Sequence, residues 1–437
     1  MMLAESHETV TLQFEIKNSG AATSNFIITI PAPIADRIYQ QAIATLQKTC
    51  HTHGFSRGQT PAEYIAHNFA TQLKHYMHDL CLNYFAIPYL YRSIRTHKLL
   101  VAGQPKVIHA HVVPSQTVVF TFQMASISAI PLKEWKYLPF KPPRRKRYKD
   151  LDRQAEQFMK VEQDLEKEAK TATVTVGDWI NLAIALATHE GTPLFGDYVE
   201  SFWLKIGADE VDKELNEPFL NKKIGDRIFM TNENLQNHFG NRSHIPTPFI
   251  VTIQDIVHDS FFCFDQFKRC FKLKSKKEIL QKLIEVFSYQ HDISQRRAMA
   301  ERSLALILSK NKFEIPDEIY ADQQDLVVQA VKYNPDYHVY RTQKDFQKRI
   351  EQLAKKQAAE SLLLDQITYH ENIEPQAPDI RSYFNFLNRP RTKEFLYFIP
   401  PITRLDGQES LLYQEEIARL SCREKTLNHI IHHLTRA

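Results

Sequence analysis

The sequence predicts a multidomain α+β fold in which an α+β unit, a β-rich unit and an all-α unit follow one another. The chain has 437 residues, 43% of them hydrophobic, which exceeds what one compact core usually holds and indicates about three units. Apolar residues alternate with others near the start and again between residues 171 and 257, as in strands. After residue 257 they recur with helical spacing between prolines, as in amphipathic helices.

The first unit, residues 1–130, is predicted to be a small α+β domain. Its predicted elements are strands at 10–16 and 26–30 joined by a hairpin turn at 18–20, a helix at 34–50, a longer helix from 61 to 84, and a strand at 118–124. The change from alternation to a four-residue period follows Pro31 and Pro33, and Pro61 suits the first turn of the second helix.

Residues 131–170 are predicted to link the first unit to the second. The stretch opens with prolines and continues after Arg144 without proline or glycine and with many charges, which predicts a connecting helix with a thin apolar stripe. The basic run at 141–147 has two interpretations, a nucleic-acid or import patch and the solvated entrance of this helix. We favour the second.

The β-rich unit covers residues 171–257, and the helical unit covers residues 258–437. The clearest strands of the former are the alternating runs at 180–186 and 249–253. The predicted helices of the latter include 279–287, 298–308 and 343–367.

Composition excludes several classes of protein. Lys and Arg total 55 against 51 acids, so the chain is not built as one nucleic-acid-binding surface. Only 11 glycines, with no GxxxxGKS/T or GxGxxG run, argue against nucleotide chemistry, and we expect no cofactor. The five cysteines are isolated, no export signal is visible, and the longest apolar stretch is about half of what a bilayer requires. We therefore expect a soluble, cytoplasmic protein that binds no membrane.

Histidines do not change this expectation. His429, His432 and His433 are spaced for one helix face, but no cysteine or acidic ligand lies nearby in the sequence, so we predict no metal site. No nucleophile, base and orienting group occur together as a hydrolytic site would require.

The loop between the first two predicted helices is short and flanked by glycines. It contains Gly54, Phe55, Ser56, Arg57, Gly58 and Gln59. An exposed Phe beside an Arg suits docking, because the ring supplies apolar contact and the guanidinium offers a fork for carboxylate or phosphate. The alternative is an ordinary interhelical loop with Phe55 packed into the core.

This loop resembles the ribosome-docking signature of bacterial trigger factors, a Gly-Phe-Arg-Lys-Gly-Lys run in the same helix–loop–helix setting. The resemblance implies docking on the large ribosomal subunit near the tunnel exit, on protein and on ribosomal RNA, to which the basic run at 141–147 could add a contact. Ser56 and Gln59 replace two of the family's cations. The departures predict docking that is weaker and less sensitive to salt.

The resemblance extends along the chain, because a charged linker helix, a β domain and a helical C-terminal half follow in the family's order. The runs at 176–180, 202–207 and 223–226 are similar to FKBP-type prolyl isomerases, which implies an inserted FKBP-like domain that holds proline in an aromatic, water-poor pocket. The implied pocket residues are Phe195, Phe202, Val211, Leu215, Phe239 and Phe249. Ala183, Ile184 and Glu214 depart from the family pattern and predict weakened isomerase activity. The alternative is that these residues are the core of a β domain.

The function implied by this resemblance is that of an ATP-independent chaperone with an embedded prolyl isomerase domain and an all-α C-terminal chaperone body with arms. Its partners would be the ribosome and nascent or unfolded polypeptides, and the free protein would form a weak homodimer. Candidates for exposed client-binding side chains, each of which alternatively packs between helices, are Leu326, Val327, Val331, Phe346, Ile350, Leu353, Phe384, Phe386, Phe395 and Phe398. Two other functions stay open, a stand-alone FKBP-type prolyl isomerase and a ribosome-independent holdase or adaptor.

Overall fold

The computed structural model describes residues 11–18, 23–144, 150–169, 173–240, 243–311, 315–332, 336–400, 403–405 and 407–436. Most of the predicted hairpin turn at 18–20 and the segment 145–147 of the basic run lie outside these residues.

The described residues of the N-terminal unit form four strands and four α-helices. They are β1 (Gln13–Asn18), β2 (Thr23–Ile30), α1 (Ala32–Thr49), α2 (Ala62–Asn68), α3 (Ala70–Leu80), α4 (Ile87–Thr96), β3 (Val101–His111) and β4 (Val118–Ser126). The strands form an antiparallel sheet in the order β1-β2-β4-β3. The predicted long second helix is interrupted at Phe69, which lies between α2 and α3, and a π-helical turn at Cys81–Ala86 joins α3 to α4.

The remaining described residues form a second sheet of five strands, two two-stranded sheets and a set of helices. In chain order these are α5 (Leu151–Glu168), β5 (Trp179–Leu186), β6 (Glu200–Lys205), α6 (Lys213–Asn216), β7 (Arg227–Met230), α7 (Glu233–His238), β8 (Phe249–Val257), α8 (Phe264–Phe271), α9 (Lys276–Phe287), β9 (Tyr289–Gln290), β10 (Ile293–Ser294), α10 (Gln295–Lys310), α11 (Asp317–Lys332), α12 (Tyr337–Tyr340), α13 (Phe346–His370), α14 (Ala377–Leu387), α15 (Pro390–Lys393), β11 (Arg404–Leu405), β12 (Gln408–Glu409), β13 (Leu412–Tyr413) and α16 (Gln414–Arg436). The α+β class is confirmed, and the helical unit also holds two-residue strands that the sequence did not predict.

The second sheet has the strand order β13-β6-β5-β8-β7, and its β13 comes from the helical unit. Every residue of β5 is buried, both the alternating apolar residues and those between them. One face of β5, with Ile180 and Leu182, packs toward the N-terminal unit, and Trp179 on the other face packs against Phe384 of α14. Gln414, the residue that follows β13, accepts hydrogen bonds from two residues of this sheet, Asn181 (3.0 Å) and the indole of Trp203 (2.6 Å).

A single hydrophobic core joins the N-terminal unit to the second sheet. The Tyr84 hydroxyl donates to the Ile184 carbonyl at 2.8 Å, and the Asn83 amide donates to the Phe239 carbonyl at 3.0 Å. Arg92 of α4 pairs with the buried carboxylate of Glu200 on β6 at 2.5 Å. Residues 1–130 and 171–257, which the sequence divides into two units, therefore pack on each other in their described parts.

The helical unit has its own cores, and the predicted connecting helix belongs to one of them. Helix α5 buries Leu151, Ala155 and Met159 in the same cluster as Phe262 and Leu283, so it lies against the helical unit. Asp365 on α13 joins this helix to α16 by accepting hydrogen bonds from Arg419 (2.7 Å) and Arg423 (2.7 and 2.9 Å). None of the helices described is long and apolar enough to span a membrane.

Candidate functional site

The predicted docking loop projects between the end of α1 and the start of α2. Gly54 and Gly58 have φ angles of +85° and +84°, a region that L-residues rarely adopt. A Cβ at either position would meet no atom within 4 Å. The two glycines are therefore required by the positive φ angles of the turn and not by close contacts with neighbouring atoms.

Hydrogen bonds at the base of the loop hold its tip outward. The Gly58 amide donates to the Gln47 carbonyl at 3.1 Å, and the Gln47 side chain donates to the Thr60 carbonyl at 2.7 Å. The hydroxyls of Thr52 and buried Thr60 share a hydrogen bond across the loop. These supports could not be predicted from the sequence, because a Gln and two Thr residues in a loop carry no distinctive pattern.

Phe55 and Arg57 both lie on the surface at this tip. The Phe55 side chain is 38% exposed, and its ring meets Tyr64 of α2 edge to face at 5.1 Å. The alternative that Phe55 packs into the core is therefore wrong. The Arg57 Nε donates to the Lys48 carbonyl at 3.1 Å, and no carboxylate of the described residues lies within ion-pair distance of this guanidinium. The tip thus presents an apolar ring beside an arginine available to an anionic partner.

The residues of the predicted proline pocket are divided between core and surface. Phe195, Phe202, Leu215, Phe239 and Phe249 are buried. Val211 is 55% exposed on a 3₁₀ turn, and the structure does not bring it together with the others.

The buried aromatic rings contact one another and the N-terminal unit. The Phe239 ring centroid lies 5.4 Å from that of Phe202 and 5.6 Å from that of Tyr84, and Phe195 packs on Phe85 at 5.5 Å. These aromatic rings therefore pack against other protein side chains within the shared core.

A half-buried histidine borders this aromatic cluster. The His238 ring lies 5.6 Å from the Phe202 ring and 5.7 Å from the Tyr413 ring. Burial lowers the pKa of His238 to about 4, so the imidazole is neutral near pH 7. A neutral imidazole suits a packed aromatic core.

Of the ten side chains named as candidate client contacts, several prove to be core residues. Val327, Ile350, Phe384, Phe386 and Phe395 are each less than 5% exposed. Leu353 is 39% exposed. These side chains are buried because helices pair with one another, as α11 does with α13. Periodicity indicates which face of a helix is apolar, but it does not indicate which helix covers that face.

An exposed apolar strand edge was not predicted at all. Strand β3 lies at the edge of its sheet, and its outer half, residues 107–111, is exposed. Val107 is 41% and Ile108 is 50% exposed. An edge of this kind presents unpaired backbone groups beside apolar side chains, and an extended chain can add to it.

The C-terminal histidines lie beside an indole ring. The rings of His429 and His433 are 4.5 Å apart, and both lie 5.9 Å from the Trp135 ring. Within the described residues, no group of three or more His, Cys, Asp or Glu side chains is arranged to hold a metal ion.

Comparison with known proteins gives a match over the N-terminal unit. Residues 12–158 match the family model described as bacterial trigger factor protein. The match covers β1 to β4 and the docking loop, and it ends before the second sheet.

Two further comparisons align with most of the chain at low sequence identity. A curated trigger factor from Rickettsia canadensis (strain McKiel) is 18% identical over 372 residues, covering 84% of this chain and 82% of that protein. A solved structure, described as showing promiscuous substrate recognition in folding and assembly activities of the trigger factor chaperone, is 13% identical. That alignment covers 96% of this chain and 99% of the other, with a TM-score of 0.38.

Proposed function

We propose, from the premise that the chain is a divergent member of the trigger factor family, that it is an ATP-independent chaperone that docks beside the ribosomal tunnel exit and binds nascent polypeptides. The observation that carries the proposal is the outward tip of the docking loop, with Phe55 and Arg57 exposed on the N-terminal unit that matches the family. A cytoplasmic location follows from the same proposal.

The chemistry of the tip limits what it can bind. The Phe55 ring offers apolar contact, and Arg57 offers a fork to a carboxylate of a ribosomal protein or to an RNA phosphate. Because the loop itself supplies one arginine, few counterions are released on docking, and the affinity should fall only gently with salt.

Client binding is the second part of the proposal. The outer half of β3 combines an open strand edge with exposed Val107 and Ile108, which suits an extended, unfolded segment. Weak contacts of this kind release without nucleotide hydrolysis. The same edge could pair with a second copy, so we include a weak homodimer of the free protein.

Replacement of the two tip anchors tests docking. We expect the double variant Phe55→Ala, Arg57→Ala to lose ribosome binding at least about tenfold, because each anchor of this type is commonly worth more than about 1 kcal/mol. Co-sedimentation with purified bacterial ribosomes at low and moderate salt gives the measurement. The loop is exposed, so folding should be unaffected.

A matched control is available on β7, where Arg227 and Phe229 are also exposed. The variant Arg227→Ala, Phe229→Ala should bind ribosomes like the wild type. Equal losses in both double variants, or no binding by the wild type at either salt, would refute docking through this loop and leave the ribosome-independent holdase.

We further propose that prolyl isomerase activity in this chain is residual. Catalysis requires a proline ring to enter an apolar pocket, and five of the six side chains implied for that pocket lie in the core that also contains Tyr84 and Phe85. We expect full-length protein to accelerate isomerisation of a proline-containing peptide little beyond the uncatalysed rate. Turnover comparable with a dedicated FKBP-type enzyme in the same assay would favour the stand-alone isomerase instead.

A further inference from the structure

A cavity of about 730 Å³ lies within the helical unit, away from the docking loop. Helices α8, α9, α10, α14 and α16 all contribute side chains to its wall. A volume of this size falls in the range of small-molecule sites in proteins.

Arg296 is the deepest charge in this cavity. It lies in the first turn of α10 and is only 2% exposed. Its Nε donates to the Phe395 carbonyl at 3.3 Å and one terminal nitrogen donates to the Asn428 side chain, while the guanidinium carbon lies 5.6 Å from the centre of the Phe271 ring. The other terminal nitrogen, Nη1, is buried and has no hydrogen-bond partner among the described residues.

The described structure supplies this arginine with no carboxylate within ion-pair distance. Arg296 interacts electrostatically with Glu424, whose Oε1 accepts hydrogen bonds from the amides of Tyr397 (2.6 Å) and Phe398 (2.7 Å). The second oxygen, Oε2, is buried without a partner. Burial raises the pKa of Glu424 to about 7, so it is partly protonated at neutral pH and can then donate a hydrogen bond.

The remaining wall favours an anion with an apolar part. Six cationic side chains, including Arg296, and four carboxyl side chains line the cavity, an excess of two positive charges. Phe271, Phe386 and Phe395 supply aromatic surface, with the Phe271 ring 5.3 Å from the Phe395 ring and 5.8 Å from the Phe386 ring. A buried, unpaired cation is costly, and an oxyanion is the group that relieves this cost.

We propose that this cavity is a binding site for a small organic anion, whose carboxylate or phosphate group meets Arg296 Nη1 and Glu424 Oε2 and whose apolar body lies against Phe271 and Phe395. The fork of the arginine recognises the oxyanion, and the aromatic wall excludes water from it. The inference does not depend on ribosome docking.

Calorimetric titration of the full-length protein with three probes tests the site. Phenyl phosphate and phenylacetate carry the two head groups, and phenylacetamide is the neutral analogue of the second. We expect at least one anion to bind about tenfold or more tightly than the amide. The stronger anion identifies the head group. No binding of either anion, or equal binding of phenylacetate and phenylacetamide with no phosphate preference, overturns the proposal.

Adjacent arginines on α10 provide a matched pair of variants. Arg296→Gln should remove the preference for the anion, whereas Arg297→Gln, at an exposed arginine next in sequence, should leave it unchanged. If Arg296→Gln does not fold, Gln281→Trp tests the cavity from its exposed rim without removing a buried contact. This variant should weaken anion binding at least about tenfold. If Arg296→Gln or Gln281→Trp folds and binds the anion with wild-type affinity, the proposed site is wrong.

Discussion

Asp365→Asn is expected to lower the free energy of unfolding by about 3 kcal/mol near pH 7, because it leaves two arginines in the helical unit without their shared anion. Asp365 accepts hydrogen bonds from Arg419 and Arg423, and the side chains of Asp365 and Arg423 are only 16% and 14% exposed. Arg419 also donates to the Val101 carbonyl at 2.8 Å, so the same cluster holds β3 to the helical unit. Denaturant unfolding gives the measurement.

The pH dependence of this effect has a definite sign. Burial by itself would raise the pKa of Asp365, but Arg423 and Arg419 outweigh burial and hold the pKa at about 2, below the usual 3.8. A carboxyl with a depressed pKa stabilises the fold above the unfolded value and loses that contribution as pH falls through the folded value. The difference in the free energy of unfolding between the wild type and Asp365→Asn should therefore be largest above pH 4 and become smaller as the pH falls toward 2.

An exposed ion pair of Asp345 provides the control for Asp365→Asn. Asp345 pairs with Arg349 one turn away on the surface, with side chains 51% and 66% exposed. Asp345→Asn should cost less than about 0.5 kcal/mol, because solvent screens such pairs. Equal costs for Asp345→Asn and Asp365→Asn would contradict the structural role assigned to the buried cluster.

Phe239→Ala is expected to destabilise the N-terminal unit and the second sheet together, by about 3–5 kcal/mol. The ring is fully buried and contacts Tyr84 of the first unit as well as Phe202 and Phe249 of the second. A cavity at this point removes packing from both sides of the shared core. Amide hydrogen exchange, read separately in β4 and in β5, shows whether both sheets lose protection.

An exposed phenylalanine on the second sheet provides the control for Phe239→Ala. Phe229 is 50% exposed on β7, so Phe229→Ala should change stability by less than about 0.5 kcal/mol. If Phe239→Ala accelerates exchange in β5 and leaves β4 protected, the two units fold independently, as an inserted domain would.

Local sequence patterns were sufficient to predict the structure where residues that are close in sequence are also close in space. The four-residue period after Pro33 predicts a helix with one apolar stripe, and the residues of that period, Ile34, Ile38, Ala42 and Leu46, are all buried in α1. The docking loop was located from the glycines that permit its turn, since Gly54 and Gly58 both have positive φ. That Phe55 points outward required the structure, because an aromatic residue in a loop is compatible with either position.

The errors arose where a distant partner decides the outcome. The aromatic residues of the predicted proline pocket were correctly identified as apolar, but what covers them is Tyr84 and Phe85, more than 100 residues earlier in the chain. Strand β3 escaped prediction because its outer half is exposed and shows no burial pattern. Arg296 resembles any charged residue on a helix, and only packing reveals that it is buried.

Strand β13 makes the order of synthesis relevant to the folding of this protein itself. Strands β5 to β8 lie between residues 179 and 257, but among the described residues the outer edge of β6 is paired by Leu412 and Tyr413 alone. During translation, that edge stays open while some 150 further residues are added. Until then the protein that we propose binds unfolded segments of other nascent chains itself carries an open strand edge, so an earlier-made copy would be a suitable chaperone for the next.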